Sequence, residues 1–112
     1  MEQWIHLQSE QQLLDAIQTS ATKPVVIFKH STRCSISSMA MNRLKNVASK
    51  HGANANLYYL DLLSYRPVSA LIADTLEVMH ESPQLLIVKN EKCVFHTSHG
   101  NIREEILDSH LN

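Results

Sequence analysis

Apolar positions along this chain recur with two different periods. Trp4-Ile5-His6-Leu7 alternates and predicts a short strand. Ser9 stands three residues before Gln12, the spacing of a capping box, and Leu13, Leu14 and Ile17 then share one helical face. A helix is expected from Ser9 to Thr19. Lys23-Pro24 breaks the pattern. Val25-Val26-Ile27-Phe28 is apolar without interruption, which suits a central strand covered by helices on both faces. His30-Ser31-Thr32-Arg33-Cys34 reads as a polar loop leaving that strand, with Ser31 or Thr32 as the cap of the next helix. Ile36, Met39, Ala40, Leu44, Val47 and Ala48 recur at steps of three and four and predict one long helix, Cys34 to Lys50, with that stripe in the core. Lys45 and Lys50 suit its C-terminal dipole, and His51-Gly52 ends it.

The second half continues the alternation. Leu57-Tyr58-Tyr59-Leu60-Asp61 is a second buried-type strand, and Pro67 suits the first turn of a helix that buries Val68, Leu71 and Ile72. Ser82-Pro83 precedes a third apolar strand, Gln84 to Val88. Asn90-Glu91-Lys92 is a tight polar turn, and Val94 to His99 an edge-like strand. Gly100 and Asn101 lead into a last helix, with Asn101 and Glu104 at capping-box spacing and Ile102, Ile106, Leu107 and Leu111 on one face. The order β-α-β-α-β-α-β-β-α predicts an α/β fold of three layers. Its βαβ half should be parallel and its final hairpin antiparallel. A mixed central sheet with helices on both faces, so connected, is the thioredoxin-like arrangement.

Length, charge and cysteine count narrow the function classes. With 112 residues the chain holds one domain, 1–112, and two glycines and three prolines leave no flexible linker. A net charge of −1 offers no basic footprint, so no nucleic acid partner and no membrane surface are expected. The first six residues lack the basic and apolar regions of a secretion leader, which points to the cytoplasm. Seven histidines include no pair at metal-site spacing, and no metal is expected.

The two cysteines, Cys34 and Cys93, differ in setting. Cys34 opens a helix after a buried strand. Unpaired first-turn amides, the helix dipole and the neighbouring Arg33 all favour its thiolate, the nucleophile of disulfide exchange. Ser37 occupies the place of the resolving cysteine in a C-x-x-C motif. Its hydroxyl, like that of Thr32, is expected to stabilise the thiolate and is unable to bridge to it. Cys34 therefore needs an external thiol. Cys93 falls at the opposite end of the sheet, so no internal disulfide is expected. In such a fold Pro83 is expected to be cis, with the backbone of Ser82 facing the cysteine.

His30-Ser31-Thr32-Arg33-Cys34-Ser35-Ile36-Ser37-Ser38-Met39 resembles the active-site stretch of the monothiol bacilliredoxins, the YtxJ family. Arg66-Pro67-Val68-Ser69 and His80-Glu81-Ser82-Pro83-Gln84 are similar to that family as well. Ser35 departs from the family pattern T-x-C-P-I-S, which has proline there. The change frees an amide and loosens the helix start. The resemblance implies a thiol-disulfide oxidoreductase with bacillithiol as co-substrate and no bound cofactor. Cys34 would be catalytic and would take bacillithiol from mixed disulfides on client proteins, and a second thiol or a reductase would reset it. Ser82, Pro83, His30, Ser35, Ile36, His99 and Gly100 would bind substrate, with Arg33, Lys29 or His30 meeting the carboxylates of bacillithiol. Gly100 would allow close approach of the thiol ligand. Two other classes fit the residues. One is a glutaredoxin- or arsenate-reductase-like thiol reductase. The other is a redox-inactive binding module on the same fold. A metal site at His30 and Cys34 lacks further ligands.

Overall fold

The computed structural model describes residues 3–111. The leaderless reading of the N-terminus falls partly on Met1 and Glu2, outside the described residues. Strands β1 (Ile5–His6), β2 (Val25–His30), β3 (Asn56–Asp61), β4 (Gln84–Lys89) and β5 (Lys92–Ser98) form one sheet in the order β1-β3-β2-β4-β5. β1, β3 and β2 run parallel, and β4 and β5 are antiparallel additions. Helices α1 (Glu10–Thr19) and α4 (Arg66–Leu76) cover one face. Helices α2 (Ser35–Arg43), α3 (Val47–His51) and α5 (Glu104–His110) cover the other. Val25, Ile27, Leu60, Ile72 and Leu86 fill the first apolar layer. Val26, Phe28, Leu44, Val47, Leu85, Ile87 and Leu107 fill the second. The thioredoxin-like α/β class is thus observed.

Several local expectations hold with adjustments. Ser9 caps α1 through the Gln12 amide at 3.1 Å, but the Gln12 side chain accepts from the Gln8 amide, one residue before the capping-box position. Leu14 is exposed, and Leu13, Ala16 and Ile17 make the buried face instead. The β4–β5 hairpin turns on Asn90 and Glu91, both at positive φ (52° and 64°), the geometry of a two-residue primed turn. The last helix starts later than expected. A 3-10 turn, His99–Asn101, intervenes, Arg103 holds the cap position, and the Asn101–Glu104 capping box does not form.

The expected helix Cys34–Lys50 is two helices. The Leu44 amide points at both Ala40 O (3.2 Å) and Met41 O (3.1 Å), and Val47 N bonds Leu44 O. The two contacts that span three residues, Leu44 to Met41 and Val47 to Leu44, tighten the chain at Leu44 and keep Leu44 and Val47 both on the sheet. Ser37 and Ala40 take the inward face of α2. Ile36 and Met39 sit one residue earlier, about 100° round the helix, and are exposed rather than in the core.

β2 is longer than its apolar run. It continues through Lys29 and His30, so His30 does not begin a loop. Both side chains are buried, and they leave the strand on opposite faces. Lys29 continues the row of Val25 and Ile27 and ends with Nζ 2.8 Å from His80 Nδ1. His30 continues the row of Val26 and Phe28, with its ring beside those of Phe28 and Tyr59. Each polar end has found a partner, which is why the strand does not stop at Phe28.

Burial lowers the Lys29 pKa from 10.5 to about 8. Between those values the unfolded chain holds a proton that the folded chain has released. The lysine's contribution to stability therefore rises with pH across that window and is least favourable below pH 8. Lys29→Met is expected to raise stability at pH 7 by about 1–3 kcal/mol and to flatten this rise. Urea unfolding at pH 7 and pH 10 measures both effects, and lower stability of the variant at pH 7 would contradict the assignment.

Candidate active site

The candidate site forms where β2 ends. His30 pairs in register with Asp61, so the C-terminal ends of β2 and β3 lie side by side. The chain then turns, with the Cys34 amide on Ser31 O at 3.2 Å, and enters α2. Cys34 is itself the N-cap, with extended φ and ψ (−115°, 122°). Neither Ser31 nor Thr32 caps the helix. An N-cap side chain stands where it reaches the amides of the second and third helical residues, here Ile36 and Ser37. The sulfur makes no such bond in this rotamer. It is partly exposed and free, at the positive end of α2.

Ser37 is placed differently from the expectation. It is completely buried, and its Oγ lies 2.6 Å from His30 Nδ1 while accepting from the Ser31 amide at 2.9 Å. Its hydroxyl is thus committed to the strand end and not to the sulfur. It holds the first turn of α2 against β2 and so positions Cys34 indirectly. His30, expected among the substrate-binding residues, is likewise turned inward, with its ring buried and its Nδ1 on the Ser37 hydroxyl. Burial lowers its pKa, partly opposed by Asp61 and by the Ser37 bond. Thr32, Arg33, Ser35 and Ile36 are exposed around Cys34, and hydroxyl support from Thr32 is not formed.

The Ser82–Pro83 peptide is cis. Its loop is tied down from three sides. Gln84 Nε2 donates to Met79 O (3.1 Å), His99 N to Pro83 O (3.1 Å), and the Ser98 hydroxyl to Glu81. Ser82 Oγ is occluded and unpartnered. His99 has positive φ (54°), whereas Gly100 does not, and a Cβ on Gly100 would meet nothing within 4 Å. The close approach expected at Gly100 is therefore not required by the backbone. Its carbonyl instead accepts from Arg43 at the end of α2 (2.9 Å), joining that turn to the cysteine helix.

Cys93 sits on β5 opposite Val88, which pairs with Val25 at the far end of β2. The six residues of β2 at ~3.3 Å each separate it from the Cys34 end. Its thiol donates to Phe95 O, and burial raises its pKa.

Sequence reasoning found Cys34 and Pro83 and missed the Ser37–His30 bond and the Lys29–His80 contact. The only signal for either was polar residues continuing directly from a four-residue apolar run.

Replacing Ser37 by Cys restores a C-x-x-C spacing on the first turn of α2. Ser37→Cys is expected to close a disulfide with Cys34 under mild oxidation. Its reduced form should be destabilised by roughly 1–3 kcal/mol through the lost bonds to Ser31 and His30. A free-thiol count with unfolding curves tests both, and a variant that keeps all its thiols free would show that a sulfur at position 37 stays turned inward and does not reach Cys34.

Comparisons with known proteins agree with this geometry. A solved structure described as having a thioredoxin fold superposes with a TM-score of 0.83 at 30% identity, over 96% of this chain and 93% of that one. Thioredoxin O2 from Arabidopsis thaliana superposes with a TM-score of 0.80 at 15% identity, over 100% and 98% of the two chains. A thioredoxin from Malassezia sympodialis gives 0.77 at 16% identity, over 96% and 87%. The last two support the fold alone. The model of the monothiol bacilliredoxin BrxC family matches residues 5–107. With one cysteine at a helix start and serine three residues on, the chain belongs to the monothiol bacilliredoxin family and is a thiol-disulfide oxidoreductase.

Proposed function

We propose that Cys34 removes bacillithiol from mixed disulfides on client proteins. The observation that carries this reading is the position of Cys34. It is a partly exposed thiol at the N-cap of α2, and the residue in the resolving position is a serine whose hydroxyl is already bonded inward.

The Cys34 thiolate attacks the bacillithiol sulfur of the mixed disulfide. A Cys34–bacillithiol disulfide forms, the S–S bond between bacillithiol and the client breaks, and the client leaves as a thiolate that takes a proton from water. A second thiol, either bacillithiol or a dithiol reductase, then attacks the Cys34 adduct as its thiolate. Cys34 is released as thiolate, and with bacillithiol as the attacking thiol the product is bacillithiol disulfide. No cofactor takes part. Exposed Ile36 and Met39 offer an apolar surface beside the sulfur for a client polypeptide, and exposed Arg33 offers charge to the acidic arm of bacillithiol. Ser82 and Pro83 offer backbone groups to the extended substrate, with Ser35, His99 and Gly100 at the rim. We assign the protein to the cytoplasm, where thiols stay reduced. Among the described residues no helix is long and apolar enough to cross a membrane.

Intact mass after incubation with bacillithiol disulfide tests the reading. The Cys93→Ala variant is expected to gain one adduct and the Cys34→Ala variant none. Equal labelling of the two variants would sink it.

A further inference from the structure

Lys29 has no role in the chemistry above, yet it occupies an expensive position. It is completely buried, and among the described residues no carboxylate is ion-paired with it. An ammonium carries three N–H donors, and the His80 ring nitrogen at 2.8 Å takes one. A buried charge so poorly matched destabilises a fold. What covers it is thin, because His80 is itself exposed and forms a wall of a cleft of about 240 Å³ between α4 and the 78–82 segment. Arg66, exposed on the first turn of α4, stands on the rim, and one turn later the buried Ser69 hydroxyl lies 3.5 Å from the same His80 Nδ1. Leu62 and Ala70 complete the lining with apolar surface. Among the described residues no acidic one lines the cleft. Glu81, next to His80 in the chain, is bonded to Ser98 on β5.

We propose that this cleft is a binding site for a small organic carboxylate, held by Arg66 at the rim and by Lys29 behind His80. The apolar patch of Leu62 and Ala70 suits a short carbon chain and not a bare inorganic ion. The planar guanidinium of Arg66 matches a carboxylate in two-point geometry. With Lys29 donating to Nδ1, a neutral His80 carries its proton on Nε2 and is a further donor. Burial and the Lys29 charge lower the His80 pKa, opposed in part by the Glu81 carboxylate, and favour that neutral form. A ligand that displaces the ring would meet the lysine's free donors directly. The cleft opens at the same end of the sheet as Cys34, on the opposite face, and residues 80–83 run from its wall to the cis proline. The carboxylate is either free or part of the thiol substrate that Cys34 attacks.

The test is a titration of the isotope-labelled full chain with sodium L-malate, followed by amide NMR, against sodium chloride at matched ionic strength. Saturable shifts confined to residues 62–70 and 80–82 are expected. Arg66→Gln and Lys29→Met should each weaken malate binding roughly tenfold, the loss of one charge-assisted contact. Shifts that chloride reproduces, or an affinity unchanged in both variants, would overturn the site. Arg66 is exposed, so its variant tests binding without risk to the core. A second arm separates the two sources. Attack of Cys34 on glutathione disulfide, which bears carboxylates, is compared with attack on cystamine, which has none. If Arg66→Gln slows only the first, the carboxylate belongs to the thiol substrate, and equal effects assign the cleft to a free acid. This arm alone depends on Cys34 chemistry, so its failure leaves the malate titration standing.

Discussion

The hydrogen bond between Ser37 and His30 decides where the reactive sulfur stands. At 2.6 Å and wholly buried, it couples the third residue of α2 to the last residue of β2. The Ser31 amide on the same hydroxyl closes the connection between them. A buried hydroxyl left unbonded costs about 1–3 kcal/mol, so the pair holds only when both partners are in place. Three consequences follow from it. Cys34 is left as the helix cap, Ile36 and Met39 are turned outward beside it, and the cap position itself carries no competing oxygen. The monothiol character is therefore a matter of packing as well as of a missing sulfur.

Much of this architecture was legible in the chain. The alternation of apolar runs and helical stripes located every strand and the helical regions between them, because burial on a sheet face leaves a period that polar surface does not. The reactive cysteine was legible for the same reason, being the residue at which a strand pattern gives way to a helix pattern. The cis proline was anticipated from the fold, and the Ser82–Pro83 peptide is cis. What remained hidden were polar residues that behave as core. The apolar run reads as ending before Lys29, and His30 as the start of a loop, because hydropathy assigns lysine and histidine to solvent. Only a partner brought from 51 or seven residues away reverses that assignment. The split at Leu44 was hidden too, since a stripe at three- and four-residue steps is the same for one helix or for two joined by a tight turn.

The loop before β4 is restrained with unusual completeness for irregular backbone. Met79, Glu81 and Pro83 each accept from a different element, so the segment facing the thiol end behaves as part of the sheet. Arg43 does the same for the turn at Gly100. A reaction that passes a sulfur between partners needs its receiving groups held in place beforehand, because any ordering deferred to the encounter is subtracted from the rate. Side chains on the exposed rim, Arg33 and Ile36 among them, carry no such restraint and are free to differ in what they accept.

The opposite exits of Lys29 and His30 from the end of β2 also act on alignment. Neighbouring strands are held by bonds that repeat along the backbone, and apolar residues on both faces would tolerate a slip by one position. Here a slip would turn the ammonium of Lys29 onto the face of Trp4 and Tyr59 and strand the imidazole of His30 beneath α4, with neither finding its mate. The central strand thus carries its own index mark, written in two adjacent side chains that are interchangeable in neither size nor charge.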